Sequence, residues 1–558
     1  MQAEPQVRHL LLVGGGHSHV ILLRMLAMKP LPGLRVTLIS ESRETPYSGM
    51  LPGVIAGHYD RDEIHIDLGK LCRFAGVTLI AARVTGLDTD AKRVSIAGRP
   101  SMTFDVLSLD MGSTPDLSVP GASEYAVPVK PISSFLSRWA EAMEAIRAGH
   151  VKHIAVVGAG AGGVEIALAI NHWVAQNITD KPLLHLYFGS EQVLEEYPDK
   201  VRSLVTRQLT TTGVRLHPGT RVKSVAVDRL TLHDESAWEA DLVFWVTGAS
   251  AQGWLADSGL TLNEAGFIAV EATLQSVSHP DIFAAGDNAH MTATPRPKAG
   301  VYAVRQGPYL HRNILAWLQQ QPLRAYVPQD NFLSLLSLGP KQAVGSRTPL
   351  TIQGRWVWQL KNYIDRQFMA RFQKLPDMPA ARPAGLLTQL DQQMQCGGCG
   401  SKVSAGLLEE VLTDLGIDTE KGDDAAIWQP SPGKVMLHTV DGFRSFTDDA
   451  WLFARIAVNH ALSDIYAMGA TPVTALALVT TPLGRPALTK MLLSQMMSGA
   501  ALQLSDAGVE LVGGHTTEGP EMYLAFAING QGEAAALMTK GGLQPGDQLI
   551  LTKPVGTG

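Results

Sequence analysis

The feature that most constrains the fold of this chain is a short buried strand followed by a glycine-rich turn, and it occurs twice. The first copy is the apolar run His9–Val13 with the turn Gly14-Gly-Gly-His-Ser-His19, and the second is His153–Val157 with Gly158-Ala-Gly-Ala-Gly-Gly163. Such a turn opens a helix whose N-terminal amides and dipole attract a pyrophosphate. The sequence therefore predicts an α/β chain with two Rossmann-like dinucleotide-binding domains.

The first copy departs from the usual pattern at its third position. Gly14 and Gly16 hold the first two positions, whereas His19 stands where a small residue normally allows the helix to pack closely on the strand. The next strand, Leu34–Ser40, ends at Glu41, which is placed as the acid that bonds an adenosine ribose. The combination of strand, turn, helix, strand and acid favours a nucleotide site over a simple structural turn.

The second copy keeps all three glycines, Gly158, Gly160 and Gly163, and leads into an alanine-rich helix. Its second strand, Leu183–Phe188, runs into a glycine rather than an acid. Glu191 lies close by and is a candidate for ribose recognition, so the choice between NADH and NADPH stays open.

Two more stretches of strand and glycine turn, Asp241–Gly248 and Asp281–Asp287, complete a set that resembles the flavoproteins with two dinucleotide-binding domains. The resemblance is greatest to the branch of type II NADH dehydrogenase and sulfide:quinone reductase. It implies FAD on the first copy and NAD(P)H on the second. The residues it implies are Gly14, Gly16, Glu41 and Asp287 for FAD, and Gly158, Gly160 and Gly163 for NAD(P)H.

The redox-active cysteine pair of the disulfide reductases is missing from the position beside the flavin, where this chain reads Tyr47-Ser-Gly-Met-Leu-Pro52. Electrons must therefore pass to another acceptor, and a quinone, a small chalcogen compound and oxygen are the candidates. Lys298–Leu310 resembles the segment that closes over the flavin in this branch. Arg305 or Gln306 could face the flavin ring, and a solvated helix face is the alternative.

The segment Arg355–Lys374 is basic and carries apolar residues at helical spacing, which predicts an amphipathic helix. Such a helix either lies on an anionic membrane or packs on its own protein. The apolar positions are Trp356, Leu360, Tyr363, Ile364, Phe368 and Phe372.

The motif Gln-Cys-Gly-Gly-Cys-Gly-Ser-Lys at Gln395–Lys402 separates two unlike halves. Its glycines allow the segment to fold over a ligand, and the ammonium of Lys402 favours the thiolate of Cys399. A zinc half-site and an idle linker are the alternatives. A helical apolar pattern follows from Val403 and ends at Gly416.

Four aspartates follow this motif, at Asp423, Asp424, Asp441 and Asp464. Asp441 is predicted to end the strand Val435–Val440. Asp464 shares a helical stripe with small and apolar residues, so its carboxylate is expected to point at packed surface, where an unpaired charge is costly. Magnesium with nucleotide phosphates would satisfy these oxygens, and a pair of salt-bridged core aspartates is the alternative.

The cysteine motif and these aspartates together resemble selenide, water dikinase (selenophosphate synthetase). The resemblance implies that Cys399 and Lys402 form the catalytic pair and that Asp424 and Asp464 bind Mg²⁺. It implies a set of ATP contacts, of which the last three form a loop that reaches ATP across a dimer. This set is Lys402, Lys421, Gly422, Asp423, Asp441, Asp464, Gly514, His515 and Thr516.

These motifs imply a domain order. The last domain is expected to correspond to the first half of an aminoimidazole ribonucleotide synthetase-like domain, and the family's second half is missing, so either the sequence is a fragment or the dikinase half is incomplete. The predicted parts are an FAD-binding domain at 1–118 and 247–345, an NAD(P)H-binding domain at 119–246, an amphipathic segment at 346–374, a linker at 375–395 and the incomplete dikinase domain at 396–558.

Composition narrows the function classes further. A net charge of −6 gives no reason to expect nucleic-acid binding, and three cysteines fit a reducing cytoplasm. The chain lacks an apolar run long enough for a membrane span. The sequence thus predicts a cytoplasmic, dimeric fusion of a flavin-dependent NAD(P)H oxidoreductase with a selenophosphate synthetase portion. The rivals are a membrane-associated quinone reductase, and a C-terminal module that only binds nucleotide or dimerises.

Overall fold

The computed structural model describes residues 7–376, 405–416, 435–538 and 543–551. The chain divides into two compact units, one within Val7–Leu386 and one within Leu387–Gly558. The cysteine motif with Cys399 and Lys402, the stretch Lys421–Asp424 and all but two residues of the predicted linker lie outside the described residues.

The elements of the first unit begin with a βαβ unit, as the glycine turns predict. Up to the end of the first dinucleotide-binding segment they are β1 (Arg8–Val13), α1 (His17–Met28), β2 (Leu34–Ser40), β3 (Glu44–Pro46), α2 (Leu51–Ile55), β4 (His65–Asp67), α3 (Leu68–Ala75), β5 (Thr78–Ala81), β6 (Val84–Asp88), β7 (Arg93–Ile96), β8 (Arg99–Thr103), β9 (Val106–Leu109) and β10 (Thr114–Pro115).

The next stretch of chain contains the second βαβ unit. Its elements are α4 (Ala122–Tyr125), β11 (Ala126–Pro128), α5 (Ile132–Arg147), β12 (His153–Val157), α6 (Ala161–Asn177), β13 (Leu183–Tyr187), α7 (Asp199–Thr211), β14 (Arg215–His217), β15 (Val222–Ala226), β16 (Arg229–Leu232), β17 (Ala237–Glu239) and β18 (Leu242–Trp245).

The chain then returns to the first sheet. The remaining elements of this unit are β19 (Ala249–Ser250), β20 (Ile268–Val270), β21 (Ile282–Ala284), β22 (Ala289–Met291), α8 (Gly300–Leu318), β23 (Ser334–Ser337), β24 (Ala343–Arg347), β25 (Leu350–Gly354) and α9 (Arg355–Gln373).

Two parallel five-stranded sheets carry this unit. The first has the order β21-β9-β1-β2-β5, so a strand from near residue 283 completes the sheet begun by β1. The second has the order β11-β18-β12-β13-β14. Leu10, Leu11 and Leu12 of β1 are fully buried, and burial of each contributes about 1.5–3 kcal/mol. Continuous apolar strands of this kind are typical of parallel sheets covered on both faces.

The second unit is a four-stranded sheet with helices on one face. Its described elements are α10 (Ala405–Asp414), β26 (Val435–Arg444), α11 (Ala450–Ala467), β27 (Thr471–Pro482), α12 (Pro486–Asp506), β28 (Glu510–Gly519) and β29 (Tyr523–Gly532). The strand order is β26-β29-β27-β28, antiparallel except for the pair β27–β28. The predicted helix after Val403 is present as α10, and Gly416 follows it with a positive φ of 69°.

Candidate functional site

Three strands of the first sheet end at the same edge and deliver polar groups there. β1 leads into the Gly14 turn, β9 is followed by Asp110, and β21 is followed by Gly286 and Asp287. Glu41 is exposed immediately after β2. Because ligands of parallel sheets bind outside the carboxyl ends of the strands, this edge is the candidate site of the first unit.

The carboxyl of Asp110 lies directly beneath the glycine turn and was missed by the sequence analysis. The backbone oxygen of Asp110 accepts a hydrogen bond from Gly16 N at 3.0 Å, and the side-chain Oδ2 accepts one from His19 N at 3.0 Å. A Cβ atom on Gly16 would lie 2.3 Å from this carboxyl, and one on Gly286 would lie 2.4 Å from it. Burial raises the pKa of Asp110 to about 7, although the amides of Ser18 and His19 lower it.

His19 fills the third fingerprint position in a different way from the small residue normally found there. Its fully buried ring places Nδ1 2.6 Å from Gly14 O and Nε2 2.8 Å from Ser108 Oγ. A carbonyl can only accept, so Nδ1 carries the proton and Ser108 donates to Nε2. Burial lowers the pKa of His19 to about 4, which keeps the ring neutral. The histidine thus ties helix α1 to β9 by hydrogen bonds instead of by close backbone contact.

Asp287 is held by a lysine from the second dinucleotide-binding segment. Lys130 Nζ lies 2.8 Å from Asp287 Oδ2, and Ser113 Oγ lies 3.3 Å from the same oxygen. Lys130 also donates to Ser113 Oγ at 2.8 Å. The neighbouring Asn288 bridges the edge of β9, since its amide donates to Leu109 O at 3.1 Å. The carboxylate therefore has a fixed position and a compensating charge.

Aromatic side chains take the place where disulfide reductases carry cysteines. Tyr47 lies against Phe368 of α9 with ring centroids 4.6 Å apart, and His17 contacts both rings at 5.4 and 6.0 Å. Burial lowers the pKa of His17 to about 4, while Asp287 raises it. This arrangement leaves a neutral imidazole, the phenol of Tyr47 and the phenyl ring of Phe368 beside the glycine turn.

Helix α9 supports this cluster with a buried ion pair. Lys361 Nζ lies 2.7 Å from Asp365 Oδ2 and donates to Gly49 O at 2.5 Å. Glu165 of α6 lies near the pair and accepts from Ser337 N at 2.7 Å. Burial raises the pKa of Glu165 to about 7, against the opposing charge of Lys361.

The predicted apolar stripe of α9 is divided between two faces. Phe368 and Phe372 are buried, whereas Trp356 is 55% exposed and Tyr363 is 62% exposed. Packing on the first unit thus accounts for one half of the stripe. Within the described residues, the helices are too short or too polar to cross a bilayer.

Helix α8 separates the two candidates for a flavin-facing side chain. Gln306 is 5% exposed, and its Oε1 accepts from Gly286 N at 2.8 Å. Arg305 points to solvent. The alternative of a solvated face therefore holds for Arg305 and is wrong for Gln306, which fixes the turn before Asp287.

The second glycine turn follows the fingerprint closely. Gly158 has φ of 112°, and a Cβ atom on Gly163 would lie 1.9 Å from Gly158 O, so helix α6 packs tightly on the turn. A Cβ on Gly160 would meet no atom within 4 Å. The second position therefore leaves open space for a phosphate, and the third closes the helix onto the strand.

Phe188 and Gly189 follow strand β13 at the position of the ribose acid, and Phe188 is buried. A Cβ on Gly189 would lie 3.0 Å from the Arg221 side chain, so an exposed guanidinium lies over this corner. Glu191 is exposed, and its Oε1 lies near Gly219. An arginine and an acid are therefore both within this corner of the site.

In the second unit, strand β26 and helix α11 carry the described aspartates. Asp441 Oδ2 lies 2.7 Å from His460 Nε2, and Asp464 Oδ2 accepts from Thr439 Oγ1 at 2.6 Å. Both carboxylates thus lie where helix α11 packs on strand β26.

Two expectations about these aspartates are wrong. The strand does not end at Asp441, because β29 pairs with β26 as far as Arg444. Asp464 is exposed rather than aimed at packed surface, since it lies where α11 crosses an edge strand. Asp424 lies outside the described residues, and within them no group of three acidic, histidine or cysteine side chains could hold a metal.

The stretch Gly514–Thr516 is a strand rather than the expected loop. It belongs to β28, which runs parallel to β27 with His515 opposite Leu478. A Cβ on Gly514 would lie 2.1 Å from Ala477 O, which explains the glycine. Thr516 is buried on the helix side, and His515 is exposed on the other side.

The sheet face opposite α11 and α12 carries exposed apolar residues. Val440 is 74% exposed, and Leu476 and Leu478 are 38% and 40% exposed. Side chains alternate along a strand, so these residues share one face with His515.

Comparison with known proteins separates the two halves in the same way. Residues 8–307 match the family described as pyridine nucleotide-disulphide oxidoreductase, and residues 422–533 match AIR synthase related protein, N-terminal domain. The selenide, water dikinase of Myxococcus xanthus is 36% identical over 189 residues, which are 32% of this chain and 52% of that protein. The chain thus spans about half the length of the curated relatives it matches.

Solved structures agree with the fold of the first half. The sulfide:quinone oxidoreductase of Aquifex aeolicus gives a TM-score of 0.57 at 16% identity, over 67% of this chain and 93% of that one. NDH2 from Plasmodium falciparum in complex with NADH gives 0.56 at 14% identity, over 66% and 99%. The expected fold class and both resemblances are confirmed.

Proposed function

The chain belongs to the pyridine nucleotide-disulphide oxidoreductase family, and from this premise we propose that its first unit is an FAD-dependent NAD(P)H oxidoreductase that reduces a selenium compound and is joined to a selenophosphate synthetase portion. The first unit supplies selenide by reduction of a selenium compound: for selenite, three NAD(P)H supply the six electrons and the three oxygens leave as water. The second consumes it with ATP and water, and selenophosphate, AMP and phosphate are formed. The single observation that carries the proposal is the presence of both family matches in one chain.

The first unit offers a fitting cradle for FAD. The amides at the start of α1 would receive the pyrophosphate, Glu41 the ribose, and Asp287 the ribityl side. When bound, the flavin supplies two-electron transfer from NAD(P)H to the acceptor. Lys130 fixes the Asp287 carboxylate at 2.8 Å, and Tyr47 with Phe368 excludes water from the acceptor side.

The cysteine motif and the aspartates of the second unit would act on ATP. In this proposal Cys399 receives selenide, Lys402 neutralises phosphate charge, and Asp424 with Asp464 holds Mg²⁺. Asp441, already paired with His460 at 2.7 Å, contributes to the nucleotide side with Lys421, Gly422 and Asp423.

A dimer is the proposed assembly of the second unit. The exposed apolar face with Val440 and Leu478 is supporting evidence, since apolar area of this kind is normally covered by a partner. His515 lies on the same face, from which it and the adjacent backbone of Gly514 would approach the ATP of a second copy, whereas Thr516 faces the helix side of the sheet.

Substitution of the cysteine motif tests the proposal. Cys399→Ser or Lys402→Ala should abolish selenide-dependent formation of AMP from ATP by the full chain, while the bound flavin and its reduction by NAD(P)H stay unchanged. Cys72→Ser, which alters a buried thiol of the first unit, is the control for loss of a cysteine elsewhere. Unchanged AMP formation in Cys399→Ser would remove the assigned role.

We further propose that NADPH is preferred over NADH. Phe188 takes the position of the ribose acid, and Arg221 lies over Gly189, where a 2′-phosphate would be placed. Arg221→Ala should raise the KM for NADPH about tenfold and leave the KM for NADH nearly unchanged. Arg229→Ala removes an exposed arginine from a neighbouring strand and is the matched control. Equal effects on both nucleotides would contradict the preference.

A second candidate function is quinone reduction at a membrane surface. The observation that favours it is the exposed pair Trp356 and Tyr363 on α9, next to the basic residues of that helix. NAD(P)H oxidation that depends on quinone and is indifferent to selenium compounds, with binding to anionic vesicles, would favour this candidate over the first. A third reading, in which the second unit only binds nucleotide, is favoured if ATP binds without cleavage.

A further inference from the structure

Within the described part of the second unit, two polar contacts cross from strand β26 to helix α11. His460 Nε2 lies 2.7 Å from Asp441 Oδ2, and Thr439 Oγ1 donates to Asp464 Oδ2 at 2.6 Å. The partners on the strand are two residues apart on one face, and those on the helix are one turn apart. The two contacts are therefore neighbours, about 6–7 Å from each other along the strand and the helix.

The contact between Asp441 and His460 is open to solvent. The side chain of His460 is 50% exposed and that of Asp441 is 33% exposed. Strand β26 lies at the end of the described sheet, so the polar groups along it border solvent on one side. A small molecule can therefore reach this imidazole, whereas a histidine such as His19 of the first unit is fully buried.

The imidazole of His460 has a fixed orientation. The carboxylate of Asp441 holds one edge of the ring, and this carboxylate is itself fixed, because its Oδ1 accepts a hydrogen bond from Gly442 N at 2.7 Å. The ring of Phe443 meets the imidazole edge to face, with ring centroids 5.2 Å apart. Phe443 in turn packs on the fully buried Phe453, with centroids 5.7 Å apart. The carboxylate and the packed core thus hold the ring from two sides.

The contact with Asp441 also decides which ring nitrogen is available. An ionised carboxylate can only accept a hydrogen bond, so His460 Nε2 carries the proton and Nδ1 of the neutral ring has a free lone pair. Nδ1 has no hydrogen-bond partner among the residues that the structure describes. An oriented imidazole with an accessible lone pair and a carboxylate behind it is the arrangement of a general base.

The reaction proposed for this unit contains a proton transfer that has no assigned residue. ATP gives up two phosphoryl groups, and one is transferred to selenium and the other to water, since selenophosphate, AMP and phosphate are the products. Selenide is already an anionic nucleophile, whereas water must lose a proton as it attacks phosphorus. Cys399 is assigned to selenide and Lys402 to phosphate charge, so the proton of the attacking water has no assigned acceptor.

We infer that His460 is the general base of the hydrolytic phosphoryl transfer and that Asp441 orients it. The inference deepens the proposed function and rests on it. Nδ1 takes a proton from water while the water oxygen bonds to phosphorus. The bridging P–O bond to the nucleotide breaks, and its electron pair stays on the departing nucleotide. The water oxygen remains in the phosphate product, and the proton passes from Nδ1 to solvent.

Replacement of the imidazole tests this role in the full chain. Selenide, Mg²⁺ and ATP are supplied without dissolved oxygen, in water labelled with the heavy oxygen isotope, and phosphorus NMR follows the labelled phosphate. His460→Gln keeps a side-chain N–H for Asp441 but has no basic nitrogen, so it should lower kcat for labelled phosphate by about a hundredfold or more. The affinity for the non-hydrolysable methylene analogue of ATP should stay nearly unchanged.

Chemical rescue distinguishes a base from a residue that only supports the structure. His460→Ala leaves a gap at an exposed position, so added imidazole should restore part of the rate of phosphate formation. In His460→Gln the side chain fills that gap, and imidazole should restore much less. His150→Ala removes an exposed histidine of the first unit and is the control, with the wild-type rate and no response to imidazole.

Three results would overturn the inference. They are a wild-type rate of phosphate formation in His460→Gln, no restoration by imidazole in His460→Ala, and a loss of analogue affinity that matches the loss of rate. The first would leave His460 as a hydrogen-bond donor to Asp441, and the last would assign it to nucleotide binding. The proposed function has a separate failure, which the wild type shows by itself: no AMP from ATP and selenide.

Discussion

The residue with the largest consequence for the flavin site is Asp110. Its carboxyl accepts a hydrogen bond from the amide of His19 at 3.0 Å, at the helix N-terminus that would receive a pyrophosphate. Two negative groups at one helix terminus oppose each other, and the protonated form of Asp110 relieves this. The charged groups facing this edge are Asp287 and its partner Lys130, and His17 and His19 are held neutral by burial.

Flavin affinity should therefore depend on pH near neutrality. The folded pKa of Asp110, about 7, exceeds the ordinary value of 3.8 for an aspartate, so folding favours the protonated form and the stability that this form contributes is lost as the pH rises through 7. Affinity for FAD should fall by up to about tenfold per pH unit above 7. Flavin fluorescence titrations of the apoprotein at pH 6 to 9 measure this.

Asp110→Asn provides the matched comparison, because it keeps the shape and removes the charge. The variant should bind FAD with little change between pH 6 and 9. A pH profile as steep as that of the wild type would mean that another group is responsible.

At this scale, the sequence predicted residues that stand in known patterns and missed those that do not. Asp287 was found because it follows a strand and a glycine turn. Asp110 also follows a buried strand, which was a usable signal, whereas Lys130 approaches the site from a distant segment. Asp464 was misjudged because helical spacing alone does not reveal that its neighbour is an edge strand.

Among the elements, helix α9 has both a buried ion pair and an exposed aromatic side chain. It buries Lys361 and Asp365 at 2.7 Å from each other while it exposes Trp356. A buried pair contributes little net stability, but loss of one partner leaves an uncompensated charge.

Lys361→Met should therefore destabilise the first unit by about 3–5 kcal/mol, and the double variant Lys361→Met, Asp365→Leu by clearly less. Denaturant unfolding followed by bound-flavin fluorescence measures both. Arg371→Met, at an exposed position of the same helix, is the control. If the double variant were less stable than Lys361→Met, the ion pair itself would contribute net stability to the folded unit.

The open sheet face of the second unit leads to a prediction about assembly. Val440→Lys or Leu478→Glu places a charge on the proposed contact and should shift the chain from dimer to monomer in sedimentation experiments. Val327→Lys changes a residue of the first unit that is 79% exposed and should leave the mass unchanged. A dimer that persists in both sheet variants would place the contact elsewhere.

Regular elements were predictable where the pattern was strong. The strands at β1, β2 and β12 and the helices α9 and α10 have nearly their expected bounds, since apolar period and glycine signals agree there. The strand at Gly514–Thr516 was expected to be a loop, because its glycines conceal a pairing with β27 that only tertiary structure supplies.

At the level of the whole molecule, the chain joins a unit that matches the pyridine nucleotide-disulphide oxidoreductases to a unit that matches AIR synthase related protein, N-terminal domain. The two were distinguishable in the sequence because each carries its own motif. The electron acceptor was not, since it depends on side chains from several segments that converge only in the folded unit. The linkage of the two activities is thus the central claim.

That claim is tested most directly by following AMP formation from ATP by the FAD-loaded full chain, without oxygen, with selenite as the selenium source. The account predicts that AMP forms only when NADPH is present, and that supplied selenide makes NADPH unnecessary. Formation of AMP from selenite without NADPH, or its absence even with selenide, would contradict the account.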